Sequence, residues 1–196
     1  MSRFLVINLE DLLASGEDSV WDVVGDFSCR HNAEIDAYLI NRAVDFTRKS
    51  ITMTHLVFDN TTSLCVGYFA LTHKPVAFRS ELLSGNQRKR IARFAKVDAR
   101  TGRYTVSAYL IAQIGKNYLA EDGKLITGAE LLDLAKNELH VSKRQVGGQI
   151  VFVEMEHGNM KLANFYRDNG FALFDTREDI EDGRPVTYDQ LFLFLK

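Results

Sequence analysis

YTVSAYLIAQIGK (residues 104–116), NYLAEDGKLI (117–126), TGAELLDLAKNEL (127–139), GGQIVFVEME (147–156) and NMKLANFYRDNGF (159–171) read in turn as strand, loop, helix, strand and helix. The first piece is rich in aromatic and β-branched residues, and the polar loop after it leads straight into a helix. That helix opens with Thr127 and Glu130 at capping-box spacing, and Leu131, Leu134, Ala135 and Leu139 fall on one face. The opening amides of a helix have no internal partners and carry the positive end of its dipole. A loop that delivers such amides to a strand end makes an anion site, suited to a phosphate-bearing cofactor.

Three features of this stretch resemble the GNAT acyltransferases, which use acetyl coenzyme A. Asn159, Leu162, Phe165, Tyr166, Gly170 and Phe171 follow the family's Asn-x-x-Ala-x-x-Φ-Tyr-x-x-x-Gly-Phe pattern, with Leu in place of Ala. The strand ending Gln113, Ile114, Gly115, Lys116 is similar to the family strand whose backbone lies along the pantetheine arm. The family's phosphate loop, Gln/Arg-x-x-Gly-x-Gly/Ala, is matched at its last glycine by Gly128, whereas Ile126 and Gly123 stand where the first Gly and the Gln or Arg belong. The resemblance implies the GNAT fold, an α/β (α+β) architecture with a mixed, mostly antiparallel central sheet and helices on both faces, as one domain over residues 1–196. It implies acetyl transfer from acetyl coenzyme A to a primary amine by direct attack. Pantetheine would lie along Ile114, Gly115 and Lys116, the pyrophosphate at the amides of Ile126, Thr127, Gly128, Ala129 and Glu130, and Asn159 would be a further contact. Tyr166 occupies the position of the acid that protonates the leaving thiolate.

Composition bounds the rest. With 196 residues, 46 % apolar and 26 % charged, the chain is that of a globular domain with a substantial core. The run FLVINL is followed at once by Glu10 and Asp11, too short for a membrane span or a signal peptide, so the cytoplasm is expected. Two cysteines, Cys29 and Cys65, imply neither a disulfide framework nor a cysteine zinc site, and Cys65, inside an apolar strand, reads as a packed thiol. The net charge of −2 hides a local contrast, because Arg88, Lys89, Arg90, Arg93, Lys96, Arg100 and Arg103 face the single acid Asp98. Ile91 and Phe94 at helical spacing would anchor that segment, as a solvated helix or as a contact surface for a cofactor phosphate or for RNA.

On the N-terminal side the sequence predicts a short strand, a helix around Val20, Trp21, Val23 and Val24, a second helix from the N-cap Asn32 to about Lys49, and strands ITMTHLVFD and SLCVGYFAL. On the C-terminal side it predicts strands at Phe171–Asp175 and Gln190–Leu195, separated by a charged turn region around Glu181, Asp182, Gly183 and Pro185.

Acyl transfer to an amine requires a base, because a free alkylamine with a pKa of about 10 is protonated at neutral pH. Glu154 and Glu156, two apart on one strand and so on one face, are candidates for that base or for ion pairs with basic neighbours. By periodicity alone Tyr166 is a core residue beside Leu162 and Phe165; the acid role comes from the resemblance. His73 and His157 lack metal-ligand spacing and read as surface or loop residues, and no metal is expected. The N-terminal half, with FSC, AYL, THLV and VGYFAL, also resembles the toxins of bacterial toxin–antitoxin pairs that acetylate aminoacyl-tRNA. Three functions therefore stand: transfer to an amine of a small molecule or protein, transfer to aminoacyl-tRNA with residues 88–103 on the RNA, and a coenzyme A-binding module without turnover. A monomer or homodimer away from any membrane is expected in each.

Overall fold

The computed structural model describes residues 2–181 and 183–196. Among them lie strands β1 (Phe4–Asn8), β2 (Met53–Asp59), β3 (Cys65–Arg79), β4 (Val97–Asp98), β5 (Arg103–Lys116), β6 (Ile150–Glu156), β7 (Ala172–Glu181) and β8 (Arg184–Phe194). The helices are α1 (Leu9–Ala14), α2 (Glu17–Val24), α3 (Ala33–Asn41), α4 (Ala43–Arg48), α5 (Gly85–Ile91), α6 (Gly128–Val146) and α7 (Met160–Asp168). The strands form one sheet in the order β1-β2-β3-β5-β6-β8-β7, with β4 on β5. The β5–β6 pair is parallel, and the β1–β2, β2–β3, β6–β8 and β7–β8 pairs are antiparallel, the mixed sheet that was expected. No helix among the described residues is long and apolar enough to cross a membrane. Contacts gather into two compact units, residues 1–72 with 111–142 and residues 73–110 with 143–196, and both β3 and β5 contribute to each.

In the first unit Leu9, Val20, Val24, Phe27, Tyr38, Leu39, Leu56 and Tyr68 form the core. Each large apolar side chain enclosed there contributes roughly 1.5–3 kcal/mol. Asn8 ends β1 and caps α1, its Oδ1 accepting from the Glu10 amide at 2.9 Å, so LEDLLA is a helix that the sequence reading left in the tail of a strand. The helix expected from Asn32 to Lys49 has its cap, Asn32 Oδ1 accepting from the Glu34 amide at 2.9 Å, but breaks at Arg42 into α3 and α4. The Tyr38 hydroxyl bonds Thr52 and Thr54 at 2.6 and 3.2 Å, and Tyr68 donates to the Ile35 carbonyl at 2.7 Å, so both buried tyrosines are satisfied. Burial pushes the Cys65 thiol up to about 11, consistent with a packed, inert sulfur.

The second unit is built on Phe78, Phe174 and Phe192, whose ring centroids lie 4.4, 5.0 and 5.5 Å apart. Here β7 and β8 form one long hairpin, paired from Ala172↔Phe192 to Glu181↔Arg184. Glu181 and Pro185, expected in a turn, therefore belong to strands; Gly183, at φ +75, sits in the tight connection, and Asp182 lies outside the described residues. The charges extend the strands because they pair laterally, Arg177 binding Glu154 at 3.0 Å and also meeting Asp179. The basic segment is likewise less helical than expected: α5 ends at Ile91, and the Asp98 carboxylate then closes a turn by accepting from the Arg100 amide at 2.7 Å. Ile91 is enclosed while Phe94 is 39 % exposed, so only the first anchors the segment.

Candidate active site

The end of β5 and the start of α6 lie in the first unit. Ile114 and Lys116 are half-buried and Gly115 is buried. A methyl group on Gly115 would lie 2.3 Å from Ile35 Cγ2, so the missing side chain lets α3 pack against β5. Burial holds the Lys116 ammonium below the usual lysine value, against an opposing pull from Glu130, and its Nζ lies 5.5 Å from the centre of the Tyr118 ring.

Asn117, the next residue, is 3 % exposed and uses its whole side-chain amide. Its Oδ1 accepts from the amides of Ser28 and Leu119 at 3.1 and 3.0 Å, while Nδ2 donates to the carbonyls of Asp26 and Cys65 at 2.8 and 2.9 Å. This clamp ties the strand end, the loop and the chain before α3 to one another, and no local pattern marked it.

At α6 the predicted capping box forms. The Thr127 amide donates to Glu130 Oε2 at 2.8 Å, and the Glu130 amide donates to Thr127 Oγ1 at 3.1 Å. Those bonds from Thr127, aided by Arg3 and Lys116 against a desolvation cost, hold the Glu130 carboxyl below the usual carboxylate range. Arg3 donates to the Leu125 carbonyl, lies 3.7 Å from Glu130 and pairs with Asp59 at 3.4 Å. Of the five positions expected to meet a pyrophosphate, Thr127 and Glu130 have their amides occupied by the cap. The amides of Gly128 and Ala129 have no partner among the described residues. With Arg3 and Lys116 nearby, these two amides fit a phosphate group.

The expected acid, both candidate bases and Asn159 lie in the second unit. Asn159 is the N-cap of α7, its Oδ1 accepting from the Leu162 amide at 3.1 Å, which leaves its NH₂ for other partners. Tyr166 is packed between Phe165 and Phe171, at centroid distances of 5.3 and 5.4 Å, and burial pushes its phenol up to about 12. Its hydroxyl has no hydrogen-bond partner among the described residues, yet it is absent from the fully enclosed polar atoms without partners, Thr47 Oγ1 and His55 Nδ1. The residual 4 % exposure of Tyr166 therefore includes the phenol oxygen, so a core tyrosine keeps its one reactive atom within reach of solvent.

Glu154 accepts from Arg177 Nε at 3.0 Å and from Gln190 Nε2 at 2.7 Å, whereas Glu156 is exposed at the end of β6. Glu154 also lines a cleft of about 690 Å³ with Lys74, Arg79, Arg103, Phe152, Asp175 and others. Arg79 clamps Asp175 through two nitrogens, with Nε at 2.9 Å. The ion-pair alternative thus describes Glu154, and Lys74 and Arg103 add cationic charge that no ion pair neutralises among the described residues. Sequence reasoning missed this cleft because its partners are separated by up to 96 positions.

No family model and no curated protein matches the chain. Solved structures do. AtaT complexed with acetyl-methionyl-tRNAfMet is similar over 95 % of this chain and 94 % of its own, at 18 % identity and a TM-score of 0.63. AtaTR bound with acetyl coenzyme A is similar over 100 % of this chain and 95 % of its own, at 20 % identity and a TM-score of 0.62. A tyrosine-to-phenylalanine mutant of KacT is similar over 96 % and 95 %, at 16 % identity and a TM-score of 0.60. With strand order, parallel β5–β6 pair and helix placement in agreement over essentially its whole length, the chain has the GNAT fold in the form these toxins share.

Proposed function

We propose that this chain is an N-acetyltransferase, one transferase domain over residues 1–196, that moves an acetyl group from acetyl coenzyme A to the amine of an aminoacyl-tRNA. The observation that carries the reading is the likeness over 95 % of the chain to AtaT in complex with acetyl-methionyl-tRNAfMet. Local chemistry supports it. The Gly128 and Ala129 amides with Arg3 and Lys116 are suited to the pyrophosphate, and the backbone of Ile114 to Lys116 to the pantetheine amides. Coenzyme A supplies an activated acetyl thioester. Tyr166 holds a proton on a phenol oxygen that solvent reaches and gives it to the departing thiolate. Tyrosine-to-phenylalanine mutants among the AtaT and KacT structures accord with such a role.

The acceptor is a polyanion, and the basic segment suits it. Arg88, Lys89, Arg90, Arg93, Lys96, Arg100 and Arg103 are all exposed, and none forms an ion pair among the described residues. Arg90 lies over the Phe194 ring at 3.7 Å and is the one with a packing role. Changing Arg88, Arg93 and Arg100 together to Ser should raise the apparent KM for methionyl-tRNA about tenfold at moderate salt. It should flatten the salt dependence of binding by about one unit of slope per lost phosphate contact, with the melting temperature unchanged. Thiol release from acetyl coenzyme A, with mass detection of N-acetylated methionine, reads the reaction. Turnover with small amines but none with charged tRNA would overturn the RNA acceptor and leave the amine transferase; no thiol release with either would favour a module that only binds coenzyme A.

A further inference from the structure

We infer that His157 is the general base of this site, aligned by Asp189. The inference rests on the transferase reading above.

Transfer to an amine needs a group that removes the ammonium proton, and the sequence offered Glu154 and Glu156. The structure withdraws the first. Glu154 is held by Arg177 at 3.0 Å and Gln190 at 2.7 Å, and a carboxylate stabilised by two donors is a poor proton acceptor. Three residues on, where β6 gives way to α7, His157 is built differently. Its Nδ1 lies 2.8 Å from Asp189 Oδ1, and its backbone amide donates to the Thr187 carbonyl at 2.9 Å, so both ring and main chain are tied to β8. The Asp189 side chain is only 14 % exposed, while the imidazole is 63 % exposed. A mostly enclosed carboxylate accepting from Nδ1–H fixes one tautomer, with the proton on Nδ1 and the lone pair on Nε2 facing outward. Gly158 follows at φ +87, a conformation that lets the chain turn after the histidine and start α7 at Asn159. Tyr166 lies on that same helix, in the same unit as His157 and Asp189.

This is the orienter–base arrangement that general-base catalysis uses. An imidazole titrating near 6.5 is also better matched to neutral pH than a carboxylate titrating near 4.3. The proton balance closes. One ammonium proton passes to His157 Nε2, and the freed lone pair forms the N–C bond as the C–S bond breaks. Sulfur takes the Tyr166 proton, and the surplus proton on the new amide nitrogen restores Tyr166. His157 then releases its proton to water, so the net products are the amide, the free thiol and one proton. The charged groups on the surrounding elements are Glu156 on β6, Lys161 on α7, Arg177 on β7 and Asp189 on β8.

The test uses the full chain, acetyl coenzyme A and methionyl-tRNA. His157→Gln should lower kcat by about 10²-fold with acetyl coenzyme A affinity unchanged, and should remove the acid limb of the kcat–pH profile. Imidazole added to His157→Gly should restore part of the rate, which a purely structural histidine would not allow. Asp189→Asn should lower kcat about tenfold and, with no substrate present, move the His157 ring nitrogen resonances toward the other tautomer. Glu156→Gln should retain the acid limb. If wild-type protein turns over and His157→Gln matches it, or if Glu156→Gln alone removes the acid limb, His157 is not the base and the transferase reading stands. A wild-type chain that releases no thiol overturns that reading, and the base with it.

Discussion

Replacing Tyr166 by Phe removes one oxygen from a ring held between Phe165 and Phe171, and the structure sets both sides of the expected result. The hydroxyl has no partner among the described residues, so its loss breaks no hydrogen bond and strands no buried group. Stability should change by less than about 0.5 kcal/mol, or about 1–2 °C in melting temperature for a chain this size. Turnover should fall by about 10²-fold, equivalent to about 2.7 kcal/mol of barrier at 1.36 kcal/mol per decade. Alkaline pH supplies a further check with a definite sign. Burial raises the phenol to about 12, so the stability linked to its neutral form is complete below the unfolded value near 10 and is lost as pH climbs toward 12. The Phe variant has no such loss and should melt above the wild type beyond pH 10, as read by circular dichroism. Thiol release by stopped assay gives turnover, and activated thioesters, whose thiolates leave without a proton, should lose less. Wild-type turnover in a folded Phe variant would refute the acid role and make this tyrosine packing alone.

Two further outcomes follow from the same geometry. Asn117→Ala leaves two amides and two carbonyls without their partner at a site 3 % exposed, so stability should fall by about 3–5 kcal/mol and coenzyme A affinity should fall with it; thermal melts and calorimetry check both. Although burial opposes its ionisation, Asp175 is held below the usual carboxylate value by the bond from Arg79, the Thr176 amide and the charges of Arg79 and Arg103. Its stabilisation is therefore present above the unfolded value near 3.9 and is lost as pH falls below that, and Asp175→Asn should flatten the acid side of the melting profile.

The elements that were legible are those whose signals are local. Thr127 and Glu130 announced the start of α6 because a capping box is closed within four residues, and it closes as spaced. β5 and β6 were plain from their apolar, β-branched runs. Elsewhere distant partners decided. Arg177 looked like turn chemistry until Glu154, 23 positions away, gave it a lateral partner and made β7 a strand. Asn8 looked like the end of a strand, and only its side chain's bond to the Glu10 amide marks it as a cap. Asn117 and the His157–Asp189 pair carry no periodicity at all; each is defined by contacts 32 to 91 residues away, with Cys65 at 52 and Ser28 at 89.

The cap of α6 has one more implication. Glu130 brings a negative oxygen to the mouth of its own helix, bonded to the Thr127 amide and hydroxyl, so the site already holds a tethered anion. A covalently attached occupant is present at an effective concentration far above that of any diffusing ion. Free phosphate arriving at Gly128 and Ala129 meets like charge and brings no other contact to offset it, whereas a long ligand anchored along β5 arrives as a second tethered group. The helix mouth thereby acts as a filter on ligand length, closed to small anions and open to those that enter already held at their other end.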